Sequence, residues 1–183
     1  MTIGGAVLFG DIFEPLFNAG KEIRRSNIMH IRGTWLTTPS LETGSDKCVG
    51  MVGATLGGGV GRYNGLHGMI VDALLSVRMV TAAGDIVTAS ATENSELFWG
   101  MRGAGFNYGI VVSATYQVFD LTSQGLVMNA DFLFPANAST AVFQYFKSLE
   151  TDLPAELALI LQTGYQTALG GVSWLLWNLR HLG

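Results

Sequence analysis

The stretch Cys48–Arg62, with the sequence CVGMVGATLGGGVGR, could do chemistry through its backbone rather than its side chains. Main chain without side chains can come close to a bulky anionic ligand and offer its N–H groups as donors. A plain turn is the competing interpretation, because glycine occupies 24 of the 183 positions of the chain. We call this stretch the first glycine segment. Seven of its fifteen residues are glycine or alanine: Gly50, Gly53, Ala54, Gly57, Gly58, Gly59 and Gly61.

A second cluster of small residues favours the ligand-binding interpretation. The stretch Gly100–Gly109, GMRGAGFNYG, leads directly into the apolar run Ile110, Val111 and Val112. We call it the second glycine segment. Two such segments on one short chain indicate an extended cofactor rather than a single phosphate group.

The glycine spacing excludes two common nucleotide-binding motifs. The dinucleotide motif G-x-G-x-x-G fails in its three candidate frames, where the last position is Arg62, Asn64 or Tyr108. The triphosphate-binding loop needs Gly-Lys followed by Ser or Thr, but the Gly-Lys pair of this chain is followed by Glu22. We therefore expect an anionic cofactor to be bound by a motif other than these two.

Composition excludes several further function classes. Charged residues make up 13% of the chain, against about 25% in ordinary domains, so we expect much of the surface to be covered. The net charge of −4, without a dense Lys/Arg patch, argues against a nucleic-acid partner.

The length of the chain allows one domain or slightly more. The start of the chain lacks the basic region of a secretory signal, which predicts a cytoplasmic chain as written and leaves secretion of longer relatives open.

Reactive side chains are sparse. Cys48 is the only cysteine, so no disulfide framework is expected, and we predict that it packs as a small buried hydrophobe. His30, His67 and His181 lie far apart, and no metal-ligand spacing is present. No Ser-His-Asp set is evident, so the sequence offers no residue as the nucleophile of a hydrolase.

The elements that must position the glycine segments are predicted from periodicity and capping signals. After an N-terminal strand, Asp11 is expected to cap a helix that ends at Gly20. Alternation in Leu74–Thr81 predicts a half-buried strand with Leu75, Val77 and Met79 inward. Its hairpin partner is Ile86–Ala89, and a short helix then leads into the second glycine segment.

Beyond Asp120 the pattern predicts a second unit of strands around a helix that Ser139 caps. The stretch Leu157–Leu179 contains no charged residue and is long enough to span a bilayer. Its glutamines, threonines and glycines make a poor membrane helix. A buried pair of strands is therefore the preferred interpretation.

These residues resemble a known family. The stretches Gly53–Arg62, Leu74–Ser90 and Glu93–Val111 look like the berberine bridge enzyme-like FAD-linked oxidoreductases, of the fungal type, within the vanillyl-alcohol oxidase superfamily. The likeness covers roughly Gly4–Ile23 and Cys48–Tyr165. It implies an α+β fold, in which residues 1–120 form the second half of a PCMH-type FAD-binding domain. Residues 121–183 would begin an antiparallel-sheet substrate domain.

Compared with the family pattern, the chain is expected to be truncated at both ends. The first FAD subdomain would precede Met1, and the catalytic base would follow Gly183. Residues 24–43 match no family element, so they are predicted to be an insertion, either translated intron sequence or a disordered loop.

The resemblance also implies a cofactor site for FAD. Many relatives link the flavin to a cysteine at a position that is Asp46 here, so a thioether link is not expected. His67 either lines the ligand or is a loop histidine without catalytic duty. Asp72 and Arg102 match charged family positions and are equally well explained as structural partners. The residues expected at FAD are Gly53, Ala54, Thr55, Gly57, Gly58, Gly59, Gly61, Gly109, Ile110 and Val111.

The function implied by resemblance is hydride transfer from a small organic substrate, of the specialised-metabolite class, to the flavin, with oxygen as the final acceptor. A truncated, catalytically silent chain is the first alternative. A small interaction module is the second, supported only by the low charge. The catalytic residues are unassigned, and no membrane partner is expected.

Overall fold

The computed structural model describes residues 1–23, 47–61, 64–125, 127–166 and 171–181. The predicted insertion at 24–43 and Asp46 lie outside the described residues. The first unit contains the segments β1 (Thr2–Gly4), α1 (Phe9–Asn18), β2 (Lys21–Glu22), α2 (Met51–Leu56), α3 (Asn64–His67), β3 (Leu74–Val80), β4 (Ile86–Ser90), α4 (Ser95–Ala104), β5 (Ile110–Tyr116) and β6 (Phe119–Asp120).

A four-stranded antiparallel sheet in the order β1-β5-β3-β4 organises this unit. Its inward side chains pack against the helices in one apolar core. The predicted hairpin is confirmed, since Val80 pairs with Ile86 and Ser76 with Ser90. The mixed helix and sheet composition agrees with the expected α+β class.

Helix α1 begins earlier than expected. Its N-cap is Leu8, and Asp11 is the third helical residue rather than the cap. The Asp11 carboxylate still satisfies the helix start, because Oδ2 accepts the Leu8 N–H at 2.9 Å. Gly20 closes the helix with a φ of +67°, as predicted.

The inward register predicted for β3 holds only in part. Val77 and Met79 are buried, but Leu75 is 47% exposed. The ladder between β3 and β5 shifts between Leu74 and Ser76. A bulge of this kind inserts one residue and turns its side chain to the other face of the sheet.

The second unit is a three-stranded antiparallel sheet in the order β7-β9-β8, formed by Val127–Pro135, Gly171–His181 and Leu157–Gln166. The pairing of the last two strands, from Leu157 with Arg180 to Gln166 with Gly171, confirms strands rather than a helix there. Within the described ranges, no helix combines the length and the apolar character needed to cross a membrane.

Helix α5 (Ser139–Ser148) connects β7 to β8. The predicted cap is wrong, because Ala138 occupies the N-cap position and Ser139 is the first helical residue. Val142 is the buried residue of this helix.

Candidate functional site

The first glycine segment is partly helical rather than an open loop. Helix α2 carries Gly53, Ala54 and Thr55, and Gly57 ends it. Gly58 and Gly59 then turn the chain with φ values of +106° and +75°. Three of the predicted ligand residues therefore lie within a helix, while Gly58 and Gly59 form a turn with positive φ.

The fold itself requires glycine at two of these positions. A Cβ added at Gly58 would lie 2.6 Å from Met69 Cε, and one at Gly59 would lie 2.8 Å from the Ile70 side chain. The two glycine carbonyls accept the N–H groups of Val71 and Ile70 at 3.0 and 2.9 Å. Glycine at 58 and 59 is thus explained by packing and positive φ alone.

Gly53 behaves differently. A Cβ built on it would meet nothing within 4 Å, and its φ is not positive. Glycine in a helix interior costs about 1 kcal/mol relative to alanine. Packing within the protein does not explain why glycine rather than alanine stands at this position. A ligand that comes close to the open face of α2 at Gly53 would explain it.

Thr55 is fully buried, and its side chain is used inside the protein. Oγ1 donates to the Met51 carbonyl at 2.8 Å and accepts the Tyr116 hydroxyl at 2.9 Å. Burial raises the pKa of Tyr116 to about 12, and the hydrogen bond to Thr55 opposes this rise. Thr55 therefore has no surface exposed to a ligand, and its hydrogen bond with Tyr116 joins α2 to β5 inside the protein.

The two glycine segments contact each other. A Cβ added at Gly105 would lie 2.5 Å from Leu56 Cδ2, and one at Gly57 would lie 3.4 Å from the Phe106 ring. Close approach of this kind is possible because one residue of each contact is a glycine without a side chain. The two segments therefore lie together at the end of α2.

The last three predicted residues lie at the start of β5. Gly109 has a φ of +145°, and a Cβ there would lie 2.2 Å from the Val80 carbonyl oxygen. Ile110 is 75% exposed, whereas Val111 is buried. Both line an open cleft with the turn Gly4–Val7, where the Gly5 N–H donates to Val112 O at 2.8 Å.

An ion pair connects Arg102, in the second glycine segment, to Asp72, which follows the first. Arg102 Nη2 donates to Asp72 Oδ1 at 3.1 Å, and Asp72 Oδ2 accepts the Met69 N–H at 2.9 Å. Arg102 has non-helical dihedrals of −82° and 67°, so α4 is kinked there. The structure thus gives these two residues a structural role.

The interpretation of Cys48 as a buried residue is wrong, because the side chain is exposed. The carbonyls of Lys47 and Val49 accept the N–H groups of Gly10 and Phe9 at the start of α1. Cys48 lies between these two bonded residues and is turned toward solvent.

Sequence reasoning missed the partner of His67. Its Nε2 lies 2.9 Å from Glu22 Oε1, and its ring stacks on Phe119 with centroids 4.6 Å apart. Glu22 is 1% exposed. A sequence signal was lacking, because these residues are separated by 45 positions along the chain.

Comparison with known proteins finds a family profile and a relative that are both described by FAD. The profile of a family described as FAD binding domain matches residues 34–90, and so begins within the 24–43 stretch. The FAD-linked oxidoreductase azaL of Aspergillus niger is 48% identical over 165 residues, covering 90% of this chain and 31% of that protein. The chain thus spans about a third of that relative's length.

Solved structures show the same fold. The xylooligosaccharide oxidase of Myceliophthora thermophila, in complex with xylobiose, superposes with a TM-score of 0.73 at 30% identity, covering 100% of this chain and 34% of that one. The BBE-like 1 protein of Physcomitrella patens superposes with a TM-score of 0.67 at 30% identity, with coverages of 100% and 34%.

Proposed function

We propose that this chain, which is related to the berberine bridge enzyme-like FAD-linked oxidoreductases, supplies part of the FAD-binding surface of such an enzyme. FAD, when bound, supplies the electron-accepting chemistry. The protein would bind and orient the cofactor. The whole enzyme would oxidise a small organic substrate, with oxygen as the final acceptor.

Gly53 is the observation that carries the cofactor assignment. Its helix face has space where a side chain would stand, and its glycine identity is not explained by packing within the protein. A flat or anionic group lying on this face could approach the backbone of Gly53 and Ala54 closely. The residues present therefore fit FAD at this surface.

The other candidate residues divide into two roles under this proposal. Gly58, Gly59 and Gly109 shape the chain through positive φ values. Gly57 and Gly61 add no side chain beside this turn, and Ile110 and Val111 offer a second contact region at the start of β5. Thr55 is fully buried and supports α2 from inside, through its bonds to Met51 and Tyr116.

The division of the chain follows the same proposal. Residues 1–120 would belong to the FAD-binding domain, and residues 121–183 would begin the substrate domain. Support comes from the separate sheets, because β1-β5-β3-β4 and β7-β9-β8 share no strand. Binding of FAD without a cysteine link stays a prediction from Asp46.

A titration of the 183-residue chain with FAD tests the proposal. Flavin fluorescence and absorbance report binding to the wild-type chain, to Gly53→Ala and to a matched control, Gly164→Ala. Gly164 also has open space at its Cβ position, but it lies on β8 in the second unit. Thermal unfolding without FAD is measured on all three proteins.

We expect Gly53→Ala to stabilise the protein without FAD by about 0.5–1 kcal/mol, because alanine is the better helix former. The same substitution should weaken FAD binding by about tenfold or more, since a methyl group then occupies the contact face. Gly164→Ala should bind FAD as the wild type does. Equal FAD affinity of Gly53→Ala and wild type would refute the site, and no FAD binding by the wild type would refute the proposal for this chain.

A further inference from the structure

Glu22 is a buried carboxylate that the proposed cofactor site does not use. It ends β2, is 1% exposed, and receives three hydrogen-bonding groups. Thr122 donates its N–H to Oε2 at 3.0 Å and its hydroxyl to Oε1 at 2.6 Å. His67 Nε2 lies 2.9 Å from Oε1. A carboxylate buried at this depth is tolerated because donors replace its water shell.

The three groups come from two residues, His67 and Thr122, in different parts of the chain. His67 is the last residue of α3, and Thr122 follows β6 at the point where the chain leaves the first unit. The His67 ring also stacks almost parallel on Phe119 of β6, with an interplanar angle of 8°. One carboxylate therefore fixes α3 against β2 and against the start of the second unit.

Helix α3 stands directly after the first glycine segment. Gly61 N–H donates to Asn64 Oδ1 at 2.8 Å, and Gly68 N–H donates to the Asn64 carbonyl at 3.0 Å. The position of α3 thus sets where the glycine segment leaves the candidate site. A helix of four residues has almost no stability of its own, so its position depends on outside contacts.

The same short helix also touches the second unit. A Cβ added at Gly65 would lie 2.3 Å from the Ala155 carbonyl oxygen, just before β8. Helix α3 is therefore in contact with the first unit through His67 and with the second through Gly65.

We propose that Glu22 is a positioning residue that holds α3, and through it the first glycine segment, in the arrangement that binds the cofactor. Glu22 does not contact the ligand. Its effect passes through His67 and Asn64, and Thr122 links it to the unit that would cover the substrate. This inference rests on the proposed FAD site.

Hydrogen exchange by mass spectrometry and FAD titration on the same proteins test the inference. The variants are Glu22→Leu, which removes all three acceptor contacts, and His67→Phe, which keeps a ring on Phe119 but loses the contact to Glu22. Asp120→Asn is the control. It removes the exposed ion pair with Lys21 on the neighbouring strand position and leaves Glu22 intact.

In both test variants, exchange of residues 57–69 should be at least about tenfold faster, the scale expected when a charge-assisted hydrogen bond is lost. Exchange in β3 should not change, and FAD affinity should fall by a similar factor. Asp120→Asn should match the wild type in both measurements. If Glu22→Leu does not fold, His67→Phe decides.

Unchanged exchange of residues 57–69 in His67→Phe would overturn the inference. Equal acceleration in β3 would also overturn it, because the role would then be general stability. Exchange is measured without FAD. If the wild-type chain binds no FAD but the two variants show the local acceleration, the proposed function is refuted and the positioning of α3 by Glu22 is supported.

Discussion

Tyr116 links the sheet to the helix that carries Gly53, and its removal should change stability in a pH-dependent way. The side chain is 1% exposed, and its hydroxyl donates to Thr55 Oγ1 at 2.9 Å. In Tyr116→Phe this bond is lost, while Thr55 keeps its own bond to Met51 O. At neutral pH we expect a loss of about 1 kcal/mol, the usual net value of one hydrogen bond.

The sign of the pH effect follows from the protonation of the phenol. Burial raises the pKa of Tyr116 from 10.0 to about 12, because the charged form is poorly solvated inside the protein. The folded state therefore holds the proton more tightly than the unfolded state. The resulting stability is fully present below pH 10 and is lost as pH rises toward 12. The loss approaches about 2–3 kcal/mol, at about 1.4 kcal/mol per pH unit.

Urea unfolding of wild type and Tyr116→Phe at pH 8, 10 and 11, followed by circular dichroism, measures this effect. The difference between the two proteins cancels every titrating group that they share. Tyr116→Phe should be less stable by about 1 kcal/mol at pH 8, and the two proteins should converge near pH 11 as the wild type loses about 1.4 kcal/mol. A difference that stays constant from pH 8 to 11 would refute the assignment of a buried, protonated phenol.

Two further substitutions test the contacts around the glycine segments. Gly109→Ala should destabilise the protein by at least about 2 kcal/mol in thermal unfolding, because φ is +145° and the new Cβ would lie 2.2 Å from the Val80 carbonyl oxygen. A melting temperature equal to that of the wild type would contradict this packing. Arg102→Gln should cost about 0.5 kcal/mol at low salt and nothing measurable at high salt, since its pair with Asp72 is half-exposed. A cost that persists in high salt would indicate a role beyond charge attraction.

Local sequence signals predicted much of the framework and less of the site. The β3–β4 hairpin and the pairing of β8 with β9 follow from alternation and turn residues. The outward Leu75 could not be foreseen, because the bulge depends on pairing with β5. The helical start of the first glycine segment also escaped prediction, since Met51 and Leu56 are held by core packing that overrides weak helix propensity.

Long-range polar contacts were the main features that could not be predicted from the sequence. The donors to Glu22 lie 45 and 100 residues away in sequence, so no local pattern pairs them. From the sequence alone, a glutamate in a short strand is expected at the surface, because glutamate is rarely buried without partners. The partners exist only after β2 pairs with β6 and brings Thr122 beside Glu22.

The structure separates the reasons for which glycine occurs in the candidate site. Gly58, Gly59 and Gly109 would have to be glycine in a protein that bound nothing, because of their φ values and close neighbours. Gly53 meets neither condition. A ligand hypothesis gains weight only from positions that the fold leaves unexplained. The strongest argument for a cofactor on this surface therefore rests on one helical glycine rather than on the length of the glycine run.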